Sequence, residues 1–190
     1  KVNTRAFADI GYLQRLGLVE DKENFVLVNF AERSGPAPVM RRFDTDEDEH
    51  NWVAQTLKNL ITKEQVRPED ILILAYRQKY CDKLSEVLAK EIPELKKIKH
   101  TYKNEEKDSL IFERDAITVS TVHGAKGYDA SIVFMAGLHE YSATAMHSYE
   151  KEKHIAREAA CRALFYVGAT RAKYQLYLSG VEANNTSLLW

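Results

Sequence analysis

Cysteine, proline, glycine and long apolar segments are all scarce in this chain of 190 residues, and each scarcity excludes a class of protein. The two cysteines, Cys81 and Cys161, lie far apart inside helical patterns, a spacing that fits neither a zinc knuckle nor a disulfide framework. Four prolines and eight glycines supply no low-complexity linker. Neither a membrane-spanning apolar run nor a signal peptide is visible. We therefore expect a cytoplasmic protein with reduced, part-buried thiols.

The chain also lacks an excess of charge of either sign. Lysine and arginine total 27 against 28 aspartates and glutamates, so the formal net charge is −1. Without a global basic field, any surface that binds nucleic acid must be local. The six histidines show no metal-ligand spacing with cysteines or carboxylates, which predicts no metal site. The length suits one domain with a sizeable core.

Helical patterns alternate with short apolar strands along the chain. This alternation predicts an α/β fold in which helices cover both faces of a parallel sheet. The predicted helices span residues 4–16, 46–61, 79–90 and 154–167. The predicted strands span residues 25–30, 39–43, 71–75, 116–120, 131–136 and 174–179, with a short one near 98–102. Thr45 is expected to cap the second helix, whose first turn is acidic.

Residues 120–129, STVHGAKGYD, join a strand end to a turn rich in small residues. Hydroxyls and exposed backbone N–H groups in such a turn bind phosphate, either of a nucleotide or of a nucleic-acid backbone. We expect the turn at the carboxyl edge of the sheet, where α/β folds bind ligands. A purely structural turn between strand and helix is an equally good explanation of two glycines at this spacing.

A phosphate loop is missing from the sequence. The run Gly124-Ala125-Lys126-Gly127 has a lysine but lacks the four-residue spacer and the terminal Lys-Ser/Thr pair. This absence argues against a free-standing kinase or ATPase. Arg171, which follows the last predicted helix, suits a bidentate grip on a phosphate or carboxylate at the same edge. The alternative is a cation that interacts with the negative end of the helix dipole.

Two segments together resemble a known motif set in order and spacing. Residues 117–134, ITVSTVHGAKGYDASIVF, and residues 157–173, REAACRALFYVGATRAK, resemble motifs V and VI of the UvrD/Rep-like superfamily 1 DNA helicases. Residues 70–78, DILILAYRQ, resemble motif IVa more weakly. The resemblance implies a RecA-like fold of the P-loop NTPase type without its phosphate loop. Residues 1–190 would form one second motor domain, a C-terminal fragment of a larger protein, and 92–115 a short loop where larger relatives carry an accessory domain.

The resemblance also implies roles for individual residues. Arg171 would be the catalytic arginine finger on the γ-phosphate. The implied ATP contacts are Gly127, Asp129, Thr170 and Arg171, and the implied single-strand contacts are Thr121 and His123. Asp129 stands where the family more often has glutamate, and Lys126 would support the interdomain side of the cleft. Asn3-Thr4-Arg5 departs from the family's Asn-Tyr-Arg run, so a second phosphate-sensing arginine is not assigned.

The implied function is that of a C-terminal motor domain of an ATP-dependent DNA helicase or translocase that moves 3′ to 5′. ATP and Mg²⁺ would be bound mainly by a first motor domain of the same protein. The expected partners are this first domain and single-stranded DNA, and the protein is expected to be a monomer. The isolated chain, lacking a Walker A loop, is predicted to be inactive. One alternative is a non-catalytic helicase-like module that binds nucleic acid or a partner protein. Another is a DNA-dependent ATPase of a nuclease or defence system that does not unwind DNA.

Overall fold

The computed structural model describes residues 35–101, 113–125, 127–141 and 151–182, with residues 151–158 described by their backbone alone. The chain divides into two compact units, Lys1–Gly35 and Pro36–Trp190. All elements given below belong to the second unit. The helix predicted over 4–16 and the strand predicted over 25–30 lie outside the described residues.

Six strands of the described residues form one sheet in the order β1-β6-β5-β2-β4-β3, and every neighbouring pair is parallel. The strands are β1 (Val39–Phe43), β2 (Ile71–Ala75), β3 (Lys97–His100), β4 (Ala116–Thr121), β5 (Ala130–Met135) and β6 (Ala172–Val181). The helices are α1 (Asp46–Thr62), α2 (Gln78–Glu91) and α3 (Lys151–Ala169), with short 3₁₀ turns at Pro68–Asp70 and Leu138–Tyr141. The predicted α/β fold with a parallel sheet is confirmed.

Helices cover both faces of this sheet, as predicted. On one face α1 and α2 pack against alternate strand residues in a cluster that includes Leu57, Leu84, Ile71, Ile73, Ile117 and Phe134. On the other face α3 and the segment before β5 pack in a cluster that includes Leu72, Leu74, Val133, Met135 and Cys161. The central strand β2 is buried along its whole length, which explains its unbroken apolar sequence. Among the described residues, no helix combines the length and apolar character needed to cross a membrane.

Both cysteines are more deeply enclosed than the sequence suggested. Cys81 and Cys161 are buried, one in each of the two apolar clusters. Burial raises the pKa of the Cys81 thiol to about 12, which keeps it protonated and unreactive at neutral pH. Both are therefore core residues.

The start of α1 follows the predicted capping pattern with one exception. The Thr45 side chain accepts a hydrogen bond from the Asp48 N–H at 3.1 Å, as an N-cap residue does. The first turn carries four acidic residues, which favours the positive end of the helix dipole. Three of them are exposed, whereas Glu49 is completely buried. Glu49 therefore differs from the other three, because a buried carboxylate needs hydrogen-bond donors from the protein as well as the helix dipole.

The last helix and strand are both longer than predicted. Helix α3 continues to Ala169 and β6 begins at Ala172, so that only Thr170 and Arg171 connect them. The pair Gly168-Ala169 suggested a helix end, but small residues here allow close packing. A Cβ on Gly168 would lie 2.5 Å from Cε of Met135 in β5. Gly168 thus lies where the helix packs closely on β5, and the helix continues past it to Ala169.

Candidate nucleotide and DNA sites

Arg171 and Asp129 form an ion pair at the point where β5 and β6 begin. Nη1 of Arg171 lies 3.1 Å from Oδ1 of Asp129. The backbone pairs at the same place, since the Ala130 N–H donates to the Arg171 carbonyl at 3.0 Å and Ala130 lies opposite Ala172 in the register. The structure therefore brings together two of the residues predicted at the nucleotide, although they are 42 positions apart in the sequence.

This pair lies at the amino edge of the sheet, because each residue immediately precedes a strand and the two strands are parallel. The expectation that the whole 120–129 turn and Arg171 face the carboxyl edge is therefore wrong. Residues 122–129 form a crossover from the end of β4 to the start of β5, with β2 between these strands. A connection between two parallel strands of one sheet must return along the full strand length, so Asp129 lies at the edge opposite to Thr121.

The Arg171 side chain is also held by the end of α3. Its Nε–H donates to the Val167 carbonyl at 2.9 Å, and the Thr170 hydroxyl donates to the same oxygen at 3.0 Å. Part of the arginine thus serves the helix end, which was the alternative explanation of its position. No hydrogen bond joins Nη2 to another residue in the described part of the chain. Thr170 is a helix-end residue in this structure, and its contact with ATP stays a prediction.

Gly127 shapes the chain two residues before Asp129. Its φ of +90° is accessible to glycine at little cost, and a Cβ there would meet no atom within 4 Å. Backbone conformation rather than crowding therefore requires glycine at this position. The Tyr128 N–H then closes the turn onto the Ala125 carbonyl at 3.0 Å. Lys126 lies outside the described residues, so its predicted interdomain role stays a prediction.

Thr121 and His123 lie at the opposite edge, where β4 ends. The Thr121 side chain is mostly buried, and its hydroxyl accepts a hydrogen bond from the Gly124 N–H at 3.1 Å. His123 is exposed in the turn that follows. Because β4 has six residues, about 20 Å of strand at roughly 3.3 Å per residue separates this edge from Asp129. The residues predicted to contact the single strand and the pair predicted at the nucleotide are therefore at opposite edges of the sheet, one at the carboxyl ends of the strands and the other at the amino ends.

Thr101 is a polar neighbour of this turn that the sequence did not single out. It follows β3, and its hydroxyl lies 2.6 Å from the Ser120 hydroxyl. A Cβ on Gly124 would lie 3.0 Å from Oγ of Ser120 and 3.2 Å from Oγ1 of Thr101, so the turn packs directly on these hydroxyls. The sequence shows Thr101 only as a hydroxyl residue after a short predicted strand. That this strand, β3, pairs with β4 and brings Thr101 to the turn is known only from the fold.

A second cluster that sequence reasoning missed lies at the carboxyl ends of β5 and β6. Oxygens or nitrogens of Asp46, Glu49 and His139 lie within 4.8 Å of one another, and Oε2 of Glu49 has no hydrogen-bond partner among the described residues. His139 Nδ1 accepts the Val181 N–H at 3.1 Å. A neutral imidazole then carries its proton on Nε2, 3.4 Å from Asp46. In this tautomer His139 is a donor to Asp46 and does not offer Nε2 to a cation.

Comparison with known proteins bears directly on the motif-bearing part of the chain. Residues 92–183 match the model of the family described as the UvrD-like helicase C-terminal domain. The predicted resemblance to the UvrD-like helicases is confirmed. The matched range contains both edges described above, with the Arg171–Asp129 pair at one and the Thr121 turn at the other.

Individual relatives are also named as DNA helicases. The chain is 41% identical over 69 residues to the ATP-dependent DNA helicase PcrA of Bacillus subtilis, covering 36% of this chain and 9% of PcrA. It is 24% identical over 168 residues to a "Probable DNA helicase" of Mycoplasma pneumoniae, covering 87% of this chain and 28% of that protein. A "Probable DNA helicase II homolog" of Rickettsia conorii is 33% identical over 86 residues, covering 41% and 13%.

A solved structure shares the fold. It is the C-terminal domain of a possible DNA helicase from Lactobacillus plantarum, with a TM-score of 0.54, 15% sequence identity, and coverage of 78% of this chain and 76% of that one. At this identity the similarity shows the fold alone. Because the chain spans between 9% and 28% of the length of the three relatives above, it corresponds to a small part of each.

Proposed function

We propose that this chain is the second motor domain of an ATP-dependent DNA helicase or translocase that moves 3′ to 5′ and supplies its arginine finger through Arg171. The observation that supports this proposal is the Arg171–Asp129 pair at the adjoining starts of β5 and β6. Both residues belong to the range that matches the UvrD-like C-terminal domain. The Arg171 side chain is 23% exposed, so it is partly accessible from a facing domain.

The chemistry proposed for Arg171 is electrostatic. With ATP held by the first motor domain, its Nη groups would donate to γ-phosphoryl oxygens that gain negative charge as the bond to the leaving group breaks. Arginine fingers of this kind contribute about 10³–10⁵ in rate. Mg²⁺ would stabilise charge on the same phosphates.

The proposed grip on single-stranded DNA is at the carboxyl edge. The Gly124 N–H is bonded to Thr121, and this bond fixes the shape of the turn that exposes His123. Sugar-phosphate contacts of this kind hold a strand without reading its sequence. Closure of the ATP cleft at one edge would then move the strand grip at the other, because both are attached to the same rigid sheet.

The decisive test is Arg171→Ala in the full-length protein. We expect ATP binding to persist while single-strand-stimulated ATP turnover falls by about 10³-fold or more. Arg171→Lys should recover little, because an ammonium does not reproduce the bidentate geometry of a guanidinium. The matched control is Arg41→Ala, which removes an exposed arginine from the edge strand β1. Turnover in Arg171→Ala equal to that of the control would remove the finger assignment.

Two further measurements separate the proposal from its alternatives. Strand displacement on duplexes with a 3′ or a 5′ tail tests unwinding and its direction, and an ATPase without unwinding would hydrolyse ATP while displacing neither. A non-catalytic module would show no turnover in the full-length protein. The isolated 190-residue chain should be inactive, and brisk strand-stimulated turnover by it alone would contradict the division of labour between two domains.

A further inference from the structure

Asp129 is tied to Arg171 through both side chain and backbone. The carboxylate contacts Nη1 at 3.1 Å, and the residue after Asp129 donates its N–H to the Arg171 carbonyl at 3.0 Å. The two side chains are 45% and 23% exposed, so the contact lies at the surface rather than in the core. An isolated ion pair at this exposure contributes little to stability. The role of this pair therefore follows from its geometry, that is, from how it orients the Arg171 side chain, and not from a contribution to stability.

We propose that Asp129 is a positioning residue, which orients the Arg171 guanidinium for the γ-phosphate. This inference rests on the proposed function. A guanidinium is planar and has five N–H donors. Nε donates to the Val167 carbonyl and Nη1 to Asp129, and two contacts at separate nitrogens fix the orientation of the plane. The remaining donors, including both on Nη2, are left for a phosphate.

The charge of Asp129 argues for the same role. A carboxylate beside a triphosphate repels it, so the residue gains nothing from direct contact with the phosphates. Paired with Arg171, however, it restricts a flexible side chain to one position before ATP arrives. Such preorganisation lowers the barrier to the chemical step more than it strengthens ground-state binding. Loss of Asp129 should therefore reduce kcat and leave KM for ATP nearly unchanged.

The test is a double-mutant cycle in the full-length protein, with hydrolysis measured in single turnovers on single-stranded DNA. Asp129→Ala should lower the maximal rate by about 10- to 100-fold, the cost of a slightly misplaced catalytic group, and change the ATP concentration at half-maximal rate by less than about threefold. Asp129→Asn keeps an acceptor at the same place and should lose less. In an Arg171→Ala background, Asp129→Ala should cause no further loss, because a positioning residue acts only through its partner.

Direct contact between Asp129 and the sugar predicts a different pattern. Asp129→Ala would then weaken ATP binding, its effect would add to that of Arg171→Ala, and it would abolish discrimination against 3′-deoxy-ATP. Any of these results overturns the positioning role. If Arg171→Ala retains full turnover, the proposed function fails as well. Thermal unfolding of each variant identifies misfolding, and the Asp129→Asn protein supplies the cycle if the alanine variant is unfolded.

Discussion

The carboxylate of Glu49 accepts a hydrogen bond from the Ser179 hydroxyl at 2.6 Å, which joins α1 to β6 across 130 positions of sequence. The same oxygen accepts the Gly137 N–H at 2.8 Å, in the turn that follows β5. Glu49 has no exposed surface, so these two contacts replace part of the water that a carboxylate would otherwise bind, while its Oε2 has no hydrogen-bond partner among the described residues. One side chain thus joins α1, β6 and the turn after β5 at the carboxyl edge of the sheet, opposite the Arg171–Asp129 pair.

Removing the Ser179 hydroxyl should therefore destabilise the fold. Ser179→Ala leaves a buried carboxylate with one fewer donor, and we expect a loss of about 1–3 kcal/mol in the free energy of unfolding. Ser85→Ala is the matched control, since Ser85 is also buried but its hydroxyl donates to the Cys81 carbonyl within α2. Its loss should be within about 0.5 kcal/mol, because alanine is the better helix former. Equal losses in urea unfolding of the two variants would show that Glu49 does not depend on Ser179.

Alanine substitutions at two glycines with positive φ, Gly127 and Gly137, distinguish the cost of backbone strain from that of side-chain crowding. Gly127→Ala should cost about 1 kcal/mol of stability for its φ of +90° alone, because nothing lies within 4 Å of the new Cβ. Gly137→Ala adds a clash, since its Cβ would lie 3.0 Å from ring atoms of the buried Tyr80. We expect it to cost about 2 kcal/mol or more. If chemical denaturation shows the two variants to be equally stable, the Tyr80 ring must move to accommodate the new Cβ at position 137 without cost.

The sequence reveals local features of this fold better than the contacts between distant segments. β1 and β2 lie within the predicted bounds, and Thr45 caps α1 as expected, because these features depend on residues a few positions apart. The burial of Glu49 depends on Gly137 and Ser179, which are 88 and 130 positions away. No local pattern distinguishes it from the exposed carboxylates of the same helical turn.

The candidate site divides in the same way. Residues 120–129 and Arg171 could be recognised from residue types and spacing. Asp129 lies at the amino edge because it immediately precedes β5 in a parallel sheet, which the predicted parallel strands already implied, but treating residues 120–129 as one turn obscured it. The pairing of Asp129 with Arg171, by contrast, needs β5 and β6 to be neighbours, which only the fold shows. The motif therefore identified the residues, whereas only the structure shows how they are arranged relative to one another.

The turn after β4 provides a prediction about DNA binding. Thr121→Val removes the acceptor of the Gly124 N–H with little change in volume. The turn should therefore shift, and single-stranded DNA should lose its contacts with the turn. We expect single-stranded DNA to bind about tenfold more weakly to the full-length protein, by fluorescence anisotropy at fixed salt. Thr121→Ser keeps the hydroxyl and should bind within about threefold of the wild type. Thr62→Val, on the exposed end of α1, is the distant control. Wild-type affinity in Thr121→Val would exclude the turn from the grip.

Acid sensitivity should come in part from His50, which is 6% exposed. Burial lowers its pKa below the usual value of 6.5, against the opposing charges of Glu49 and Asp46 and with smaller lowering effects from Lys83 and His139. Between 6.5 and the lowered value the unfolded chain binds more protons than the native one, so stability must fall as the pH falls through this window.

His50→Gln removes this titration, and its urea unfolding free energy should change less between pH 7.5 and pH 5.5 than that of the wild-type chain. Burial raises the pKa of Glu140 above its usual value of 4.5. The native chain then binds more protons than the unfolded one, and stability rises as the pH falls through that window. Glu140→Gln removes this opposing effect and should steepen the loss on acidification. Identical pH profiles for the wild type and His50→Gln would mean that His50 titrates alike in the native and unfolded chains, and its burial would then not contribute to acid sensitivity.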